Sequence, residues 1–357
     1  MCVARQPPST EDAVGRSGAG RIIAIVVSLV ITAATVGLLY IAFVDSANTP
    51  QTTFQAMSEN GQKAQDVYTL IFILAGIVFA GVMALTLIFS LVYREREGGK
   101  ALQLHGNSKL EVLWTFIPVL IVVVMAVPTF QVIAETTGAA PEESLTVQAV
   151  GHQWWFEFDY PELGVVTAGD LHLPVDRPVR VILQSKDVIH SFWVPQLSGK
   201  VDMVPGHDNQ LWFTPNTPGE YLGQCAEFCG ISHANMRFRV FVHTQADFDA
   251  WVQGQLAEAA TPTEGLAAEG AQQFTLSGCI GCHTVKGNAL AMGVVGPNLT
   301  HFASRTRLAG GMAENNEAEL RRWLSNPPAM KPGSIMPNLN LSPEAIDKLV
   351  AYLQTLQ

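Results

Sequence analysis

The residues best suited to chemistry lie in Cys225-Ala-Glu-Phe-Cys-Gly-Ile-Ser-His-Ala-Asn-Met236. This short stretch offers two thiols (Cys225, Cys229), an imidazole (His233) and a thioether (Met236). Soft sulfur ligands beside imidazole suit copper, zinc or iron–sulfur chemistry. A mononuclear blue-copper site needs one Cys, two His and a weak axial Met, so the second Cys exceeds that need. A second His stands upstream in Asp187-Val-Ile-His190-Ser-Phe-Trp-Val-Pro195. Two bridging thiolates with one His per metal would hold two coppers that share an electron. The simpler readings are a Cys225–Cys229 disulfide or a structural zinc held with His190 and His233. Neither explains Met236. A second cluster, Cys279-Ile-Gly-Cys282-His283, has the C-x-x-C-H form of haem attachment: two thiols take the vinyl groups and the His binds iron. Taken alone, it also reads as a redox dithiol.

Rigid elements must bring these ligands together. The 357 residues have room for two or three domains. An apolar share of 48% is high for a soluble protein and points to membrane segments. Three apolar stretches, Ile22–Val44, Tyr68–Tyr93 and Val112–Ile133, are each long enough to cross a hydrocarbon core of about 30 Å. Residues 1–21 are polar, contain Arg5, Arg16 and Arg21, and read as disordered. Cys2 has no assigned role. Arg94, Arg96, Lys100 and Lys109 crowd the loop between the second and third stretches, which places that loop in the cytoplasm. Everything after Ile133 then lies outside. The first stretch is a cleaved signal peptide or an extra transmembrane helix.

From Leu145 to His243 the pattern changes to short alternating runs, among them Val179-Arg-Val-Ile-Leu and Arg237-Phe-Arg-Val-Phe-Val, separated by Pro and Gly turns. That pattern predicts a Greek-key β-sandwich. Phe248–Ala260 reads as a closing helix and Ala260-Thr-Pro-Thr-Glu-Gly265 as a linker. A third, helical module follows, with Pro343–Leu356 as its last helix. Residues 135–261 carry sixteen acids against six bases, whereas 1–134 balance eight with eight and 262–357 seven with seven. The excess charge therefore sits in the segment that holds the copper-type motif, as a solvated face or as attraction for a basic partner. Nothing in the chain indicates nucleic acid.

The spacing C-x3-C-x3-H-x2-M, with His190 upstream, resembles the dinuclear CuA centre of cytochrome c oxidase subunit II. Glu111-Val-Leu-Trp-Thr-Phe-Ile-Pro118 resembles that family's E-x-x-W-T-x-x-P signature, and Gly151-His-Gln-Trp154-Trp-Phe-Glu-Phe158 its aromatic run. Cys279–His283, Gly296-Pro-Asn-Leu299 and Gly-Ser-Ile-Met336-Pro together resemble a small class I cytochrome c. The whole is similar to the subunit II of caa-type haem-copper oxidases, in which a cytochrome c domain is fused to the C-terminus.

The resemblance implies a multi-domain membrane protein. It has an N-terminal tail with a signal or extra span (1–48) and a two-helix transmembrane hairpin (49–138, helices at about 68–93 and 112–133). A cupredoxin-like sandwich (139–260) and an all-α class I cytochrome c domain (261–357) follow. Copper ligands would be His190, Cys225, the Glu227 carbonyl, Cys229, His233 and Met236. Haem c would be held by Cys279 and Cys282, with His283 and Met336 on iron; Met292, Met312 and Met330 lack that setting. An exposed Trp154 would be the electron-input contact near CuA, Glu111 the acid at the entrance of a proton path, and the Glu227 side chain a ligand to Mg shared with subunit I. Met203-Val-Pro-Gly206 is structural, and His152, His172, His207 and His243 have surface or packing roles.

The implied partners are oxidase subunit I and the other subunits, the membrane, and an external donor: a cytochrome c, another small redox protein or a bc-type complex. The implied place is a bacterial cytoplasmic membrane, with the copper and haem domains on the outer side. The implied activity is electron input to a terminal oxidase that reduces O2 to water with proton pumping. The alternatives are electron input to a CuA-containing nitric oxide reductase and a free membrane-tethered carrier; Glu111 and Glu227 favour the oxidase.

Overall fold

A computed structural model describes residues 10–46, 49, 51–92 and 106–357. Cys2, Arg94, Arg96 and Lys100 lie outside the described residues. The chain divides into two compact units, residues 1–49 with 64–133 and residues 50–63 with 134–357.

Three long helices carry the apolar stretches: α1 (Thr10–Ser46), α2 (Glu59–Val92) and α3 (Ser108–Thr136). Their spans of 26, 33 and 29 residues exceed the ~20 needed to cross a bilayer core. Ile22, Leu38, Val112, Trp114 and Phe130 are all largely exposed, as suits a surface solvated by lipid chains. In α1, by contrast, Ser28 and Thr32 are buried and return their hydroxyls to the carbonyls of Ala24 and Ser28, at 2.7 and 2.8 Å. Satisfying polar groups within the helix is what an apolar solvent demands. The helical start at Thr10 corrects the expectation of disorder up to residue 21. Extending a helix already nucleated by an apolar run costs far less than starting one, so polar residues upstream join it.

The second unit begins with a sandwich. Its strands are β1 (Leu145–His152), β2 (Trp155–Tyr160), β3 (Val165–Ala168), β4 (Asp170–Pro174) and β5 (Val179–Ser185). Then come β6 (His190–Trp193), β7 (Val201–Met203), β8 (Asn209–Phe213), β9 (Gly219–Cys225) and β10 (Arg237–His243). They form two five-stranded sheets, ordered β3-β2-β1-β5-β8 and β4-β10-β9-β6-β7. The β1–β5 and β4–β10 pairs are parallel and join strands distant in sequence, while the remaining neighbours are antiparallel. This is the cupredoxin-like sandwich. Register aligns Leu145, Val147 and Ala149 with Val179, Val181 and Leu183, all fully buried. Strand alternation thus puts one continuous apolar face inward. Phe156, Phe158 and Phe192 surround Phe238, with centroids 4.7, 5.4 and 5.0 Å away. Burying each ring is worth about 2–3 kcal/mol, so the loops that hold the metal ligands hang from a stiff core. The helix α4 (Gln245–Leu256) closes the sandwich with Phe248 and Val252, capped by Thr244 accepting the Asp247 N–H.

A helical module follows: α5 (Gly265–Leu276), α6 (Glu317–Ser325), α7 (Pro327–Met330) and α8 (Pro343–Leu353). Phe274 of α5 meets Tyr352 of α8 edge-on at 5.5 Å. Leu320 and Leu324 of α6 join the same buried cluster. The module is seated on the sandwich rather than merely tethered to it. Arg237 donates its N–H to the Gly310 carbonyl (3.0 Å), Thr306 to the Asp170 carboxylate (3.2 Å), and the Ser232 hydroxyl to the Pro332 carbonyl (2.6 Å).

Candidate copper and haem sites

His190 opens β6 and Cys225 closes β9, and these strands pair at Phe192–Cys225. Backbone bonds fold the β9–β10 loop back over them: Cys225 N–H reaches the Met236 carbonyl at 3.0 Å and Met236 N–H the His233 carbonyl at 3.1 Å. Cys225 Sγ thereby lies 3.7 Å from Cys229 Sγ, 3.9 Å from His190 Nδ1 and 3.2 Å from the Glu227 carbonyl. Cys229 Sγ lies 3.5 Å from His233 Nδ1 and 3.9 Å from Met236 Sδ. Ligand atoms of His190, Cys225 and Cys229 all fall within 4.8 Å of one another. The sulfurs are far beyond the ~2.05 Å of a disulfide.

The donor set fits a copper pair. It has two central sulfurs, an imidazole at each side, and a thioether and a carbonyl beyond. That exceeds the four ligands of a closed zinc site and is soft enough for copper. The hydrogen bond between the thiols draws Cys225 strongly toward the thiolate and pushes Cys229 up, so the bare pair shares one proton. Metal cations would take that proton's place.

A second layer orients the ligands, and the sequence reading passed over it. Asp187 Oδ1 accepts from His190 Nε2 at 2.7 Å, which leaves Nδ1 turned to the cage. A carboxylate fixing the far nitrogen of a ligating His is a standard way to set its tautomer. Burial opposes a charge on His190, but hydrogen bonds to Cys225 and Asp187 outweigh it and raise its pKa. Gln153 gives its backbone N–H to Asp187 (2.7 Å) and its amide to the Cys229 carbonyl (2.8 Å). At Gly151 a Cβ would lie 2.7 Å from His190 Cδ2, so only glycine admits the ring there. The one sequence cue was an acid three residues before the His.

Trp154 corrects an expectation. It is 7% exposed, not open to solvent. Its indole N–H donates to the Cys229 carbonyl at 3.0 Å, and the helical module covers the ring. A Cβ on Gly333 would sit 2.5 Å from Trp154 Cη2, a closeness that requires glycine. Lys331 Nζ donates to the Trp154 and Ala309 carbonyls, the latter at 2.7 Å. Burial lowers Lys331 to about 7 despite the pull of Cys229.

The second site is an apolar cleft in the helical module. Cys279, Cys282, His283 and Met336 line it with Phe274, Leu320, Leu324 and Leu349. His283 Nδ1 bonds the Pro297 carbonyl at 2.8 Å, leaving Nε2 for a metal. Burial pushes the Cys279 thiol up to about 11, so it stays protonated. Two thiols, a free imidazole nitrogen and a thioether in one apolar cleft fit haem c. Of the four methionines weighed, only Met336 lines it: Met330 is buried in the core, Met312 packs partly buried against it, and Met292 is 73% exposed.

Two carboxylates stand apart. Glu227 points its acid outward, half exposed, 3.9 Å from Lys200 Nζ. Glu111, in the first turn of α3, accepts the Asn107 N–H at 3.2 Å, while Asn107 Oδ1 accepts from Lys109 and Leu110. This reciprocal cap satisfies helix N–H groups. Among the other histidines, His152 stacks on Trp155 at 4.2 Å, and His172 lies 2.8 Å from His243 between Trp251 and Phe241.

Comparison with known proteins agrees in order along the chain. Residues 47–132 match the family described as cytochrome C oxidase subunit II, transmembrane domain, 165–242 its periplasmic domain, and 267–357 cytochrome c. The cytochrome c oxidase subunit 2 of Alkalihalophilus pseudofirmus is 38% identical over 313 residues, covering 85% of this chain and 90% of that one. The cytochrome c oxidase subunit 2 of Bacillus sp. strain PS3 is 37% identical over 286 residues, covering 74% and 80%. Among solved structures, the periplasmic domain of subunit II of cytochrome oxidase from Bradyrhizobium japonicum matches with 30% identity and a TM-score of 0.32. It covers 33% of this chain and 96% of that one.

Proposed function

Because the chain belongs to the cytochrome c oxidase subunit II family and carries a cytochrome c domain, we propose that it is the electron-input subunit of a terminal respiratory oxidase. Bound in their sites, haem c and the copper pair supply one-electron carriers. Cys279 and Cys282 tether haem c, with His283 and Met336 as iron ligands. His190, Cys225, Cys229, His233, Met236 and the Glu227 carbonyl hold copper. An external donor (a cytochrome c, another small redox protein or a bc-type complex) delivers electrons at the haem module. They cross by Trp154 to the copper cage and pass to subunit I, where O2 is reduced to water with proton pumping. Glu111 serves at the proton-path entrance, and the Glu227 carboxylate reaches Mg shared with subunit I. Phe228, beside Glu227, is 76% exposed, which supports a docking face there. The three apolar helices sit in a bacterial cytoplasmic membrane, with both cofactor domains on its outer side.

The observation that carries this reading is the placement of Trp154. Its indole holds the carbonyl of Cys229 while Gly333, three residues before Met336, lies against the same ring. In rapid mixing, the haem module should be reduced before copper, and the second step should depend little on salt because the junction is buried. A Cys279→Ala, Cys282→Ala variant that retains copper should lose oxidation of the natural donor. Donor oxidation at the full rate would show that electrons enter elsewhere.

A further inference from the structure

We propose that Lys331 is the positioning residue for transfer between the two sites: it fastens the segment bearing Met336 to the backbone of Trp154. The proposal rests on the electron-input reading.

Lys331 is 4% exposed, and among the described residues no carboxylate forms an ion pair with it. A buried ammonium without a counter-ion costs several kcal/mol, and an apolar side chain of similar volume serves stability at least as well. Its place is therefore better explained by geometry than by stability. Its Nζ donates to two carbonyls, Trp154 on the sandwich and Ala309 in its own module. The next two residues continue the contact. The Pro332 carbonyl accepts from Ser232, which precedes the ligand His233, and Gly333 packs on the Trp154 ring. Three residues later stands Met336. Residues 331–336 thus run from the copper cage's support to the haem cleft without another element between.

The step served is simple in its balance. With both groups bound, the haem held by Cys279, Cys282, His283 and Met336 would supply one electron and the copper pair would take it; the transfer breaks no bond and moves no proton. Its rate depends on separation and on the difference in potential. Lys331 bears on the first: its bonds to the Trp154 and Ala309 carbonyls hold the separation.

The test uses the full chain loaded with haem and copper. The haem is reduced by a light flash, and the haem and copper absorption bands are followed. Lys331→Met should slow transfer roughly tenfold to a hundredfold, the scale on which a misplacement of about 1 Å registers in a positioned reaction. Lys331→Arg should recover most of the rate. The copper and haem spectra should both stay unchanged in Lys331→Met, so that the slower transfer reports position and not damage to either site. A purely structural lysine would lower the melting temperature yet leave the transfer rate alone in molecules that keep both cofactors, and that result overturns the proposal. Should Lys331→Met not fold, Ser232→Ala removes the neighbouring bond without burying a charge. It should slow transfer by a smaller factor; a wild-type rate there overturns the proposal too. Absence of haem-to-copper transfer in the wild type would instead overturn the electron-input reading itself.

Discussion

The copper cage and the haem cleft are built on opposite plans. In the cage, His190, Cys225, Cys229 and Met236 are all buried, and the protein closes around them through contacts of 3.2–3.9 Å. Paired strands and backbone bonds set those positions. In the cleft, Cys282 is exposed, Met336 is half-buried, and the lining is largely the module's own core side chains. The ligands there come from segments 283 and 336, joined by loops and short helices. A metal pair would complete a site already arranged, whereas haem would complete a hydrophobic core. Cofactor loss should therefore be a local event in one region and a folding event in the other.

The largest contrast is in folding. Cys279→Ala with Cys282→Ala should leave residues 261–357 without cooperative melting, a loss of several kcal/mol on the scale of emptying a core. Stripping copper with a chelator should leave the sandwich transition in place. Calorimetry of both samples separates the two plans, and equal damage would erase the distinction. Next in size, Cys229→Ser should abolish the mixed-valence copper spectrum, since a hydroxyl is a poor copper ligand, with the haem spectrum unaltered. One zinc per chain by metal analysis would contradict the copper assignment.

A third prediction concerns the seam between the regions. Burial raises Asp170 to about 6 from 3.8, against the opposing pull of Arg305, a bond from Thr306, and Arg239; Glu220 adds to the rise. The folded state thus binds this proton more tightly than the unfolded chain. Its contribution is complete below the unfolded value and lost as pH rises through about 6, on the order of 3 kcal/mol. Asp170→Asn should flatten the melting temperature between those limits; an unchanged slope assigns the titration elsewhere. The smallest effect is expected for Asp187→Asn, which keeps the shape but weakens the hold on His190. Copper affinity should fall about 10- to 100-fold, with no change in haem binding.

The sequence disclosed the parts whose signals are local. The copper-type and haem-type motifs each occupy a dozen residues or fewer, so spacing alone displays their chemistry. Strands β1, β5, β8 and β10 showed through their alternation, and the apolar stretches through their length. What stayed hidden depends on partners far along the chain. Trp154 is covered by residues near 331, and no local pattern marks a tryptophan as buried under another module. Lys331, in a Lys-Pro-Gly stretch, reads as a surface turn until its ammonium is seen on a carbonyl 177 residues away. Asp187 carried a faint cue, three residues before His190. The ends of α1 and α2 ran beyond their apolar stretches because helix propagation tolerates polar residues.

The covering of Trp154 has a consequence for traffic. Among the described residues, the helical module lies over the Trp154 ring, so a diffusing protein approaching this face meets the module before the indole. Cutting the chain after Ala260 would strip the cover and bare the ring. Kinetics measured on such a fragment would describe a surface that the module covers in the intact chain.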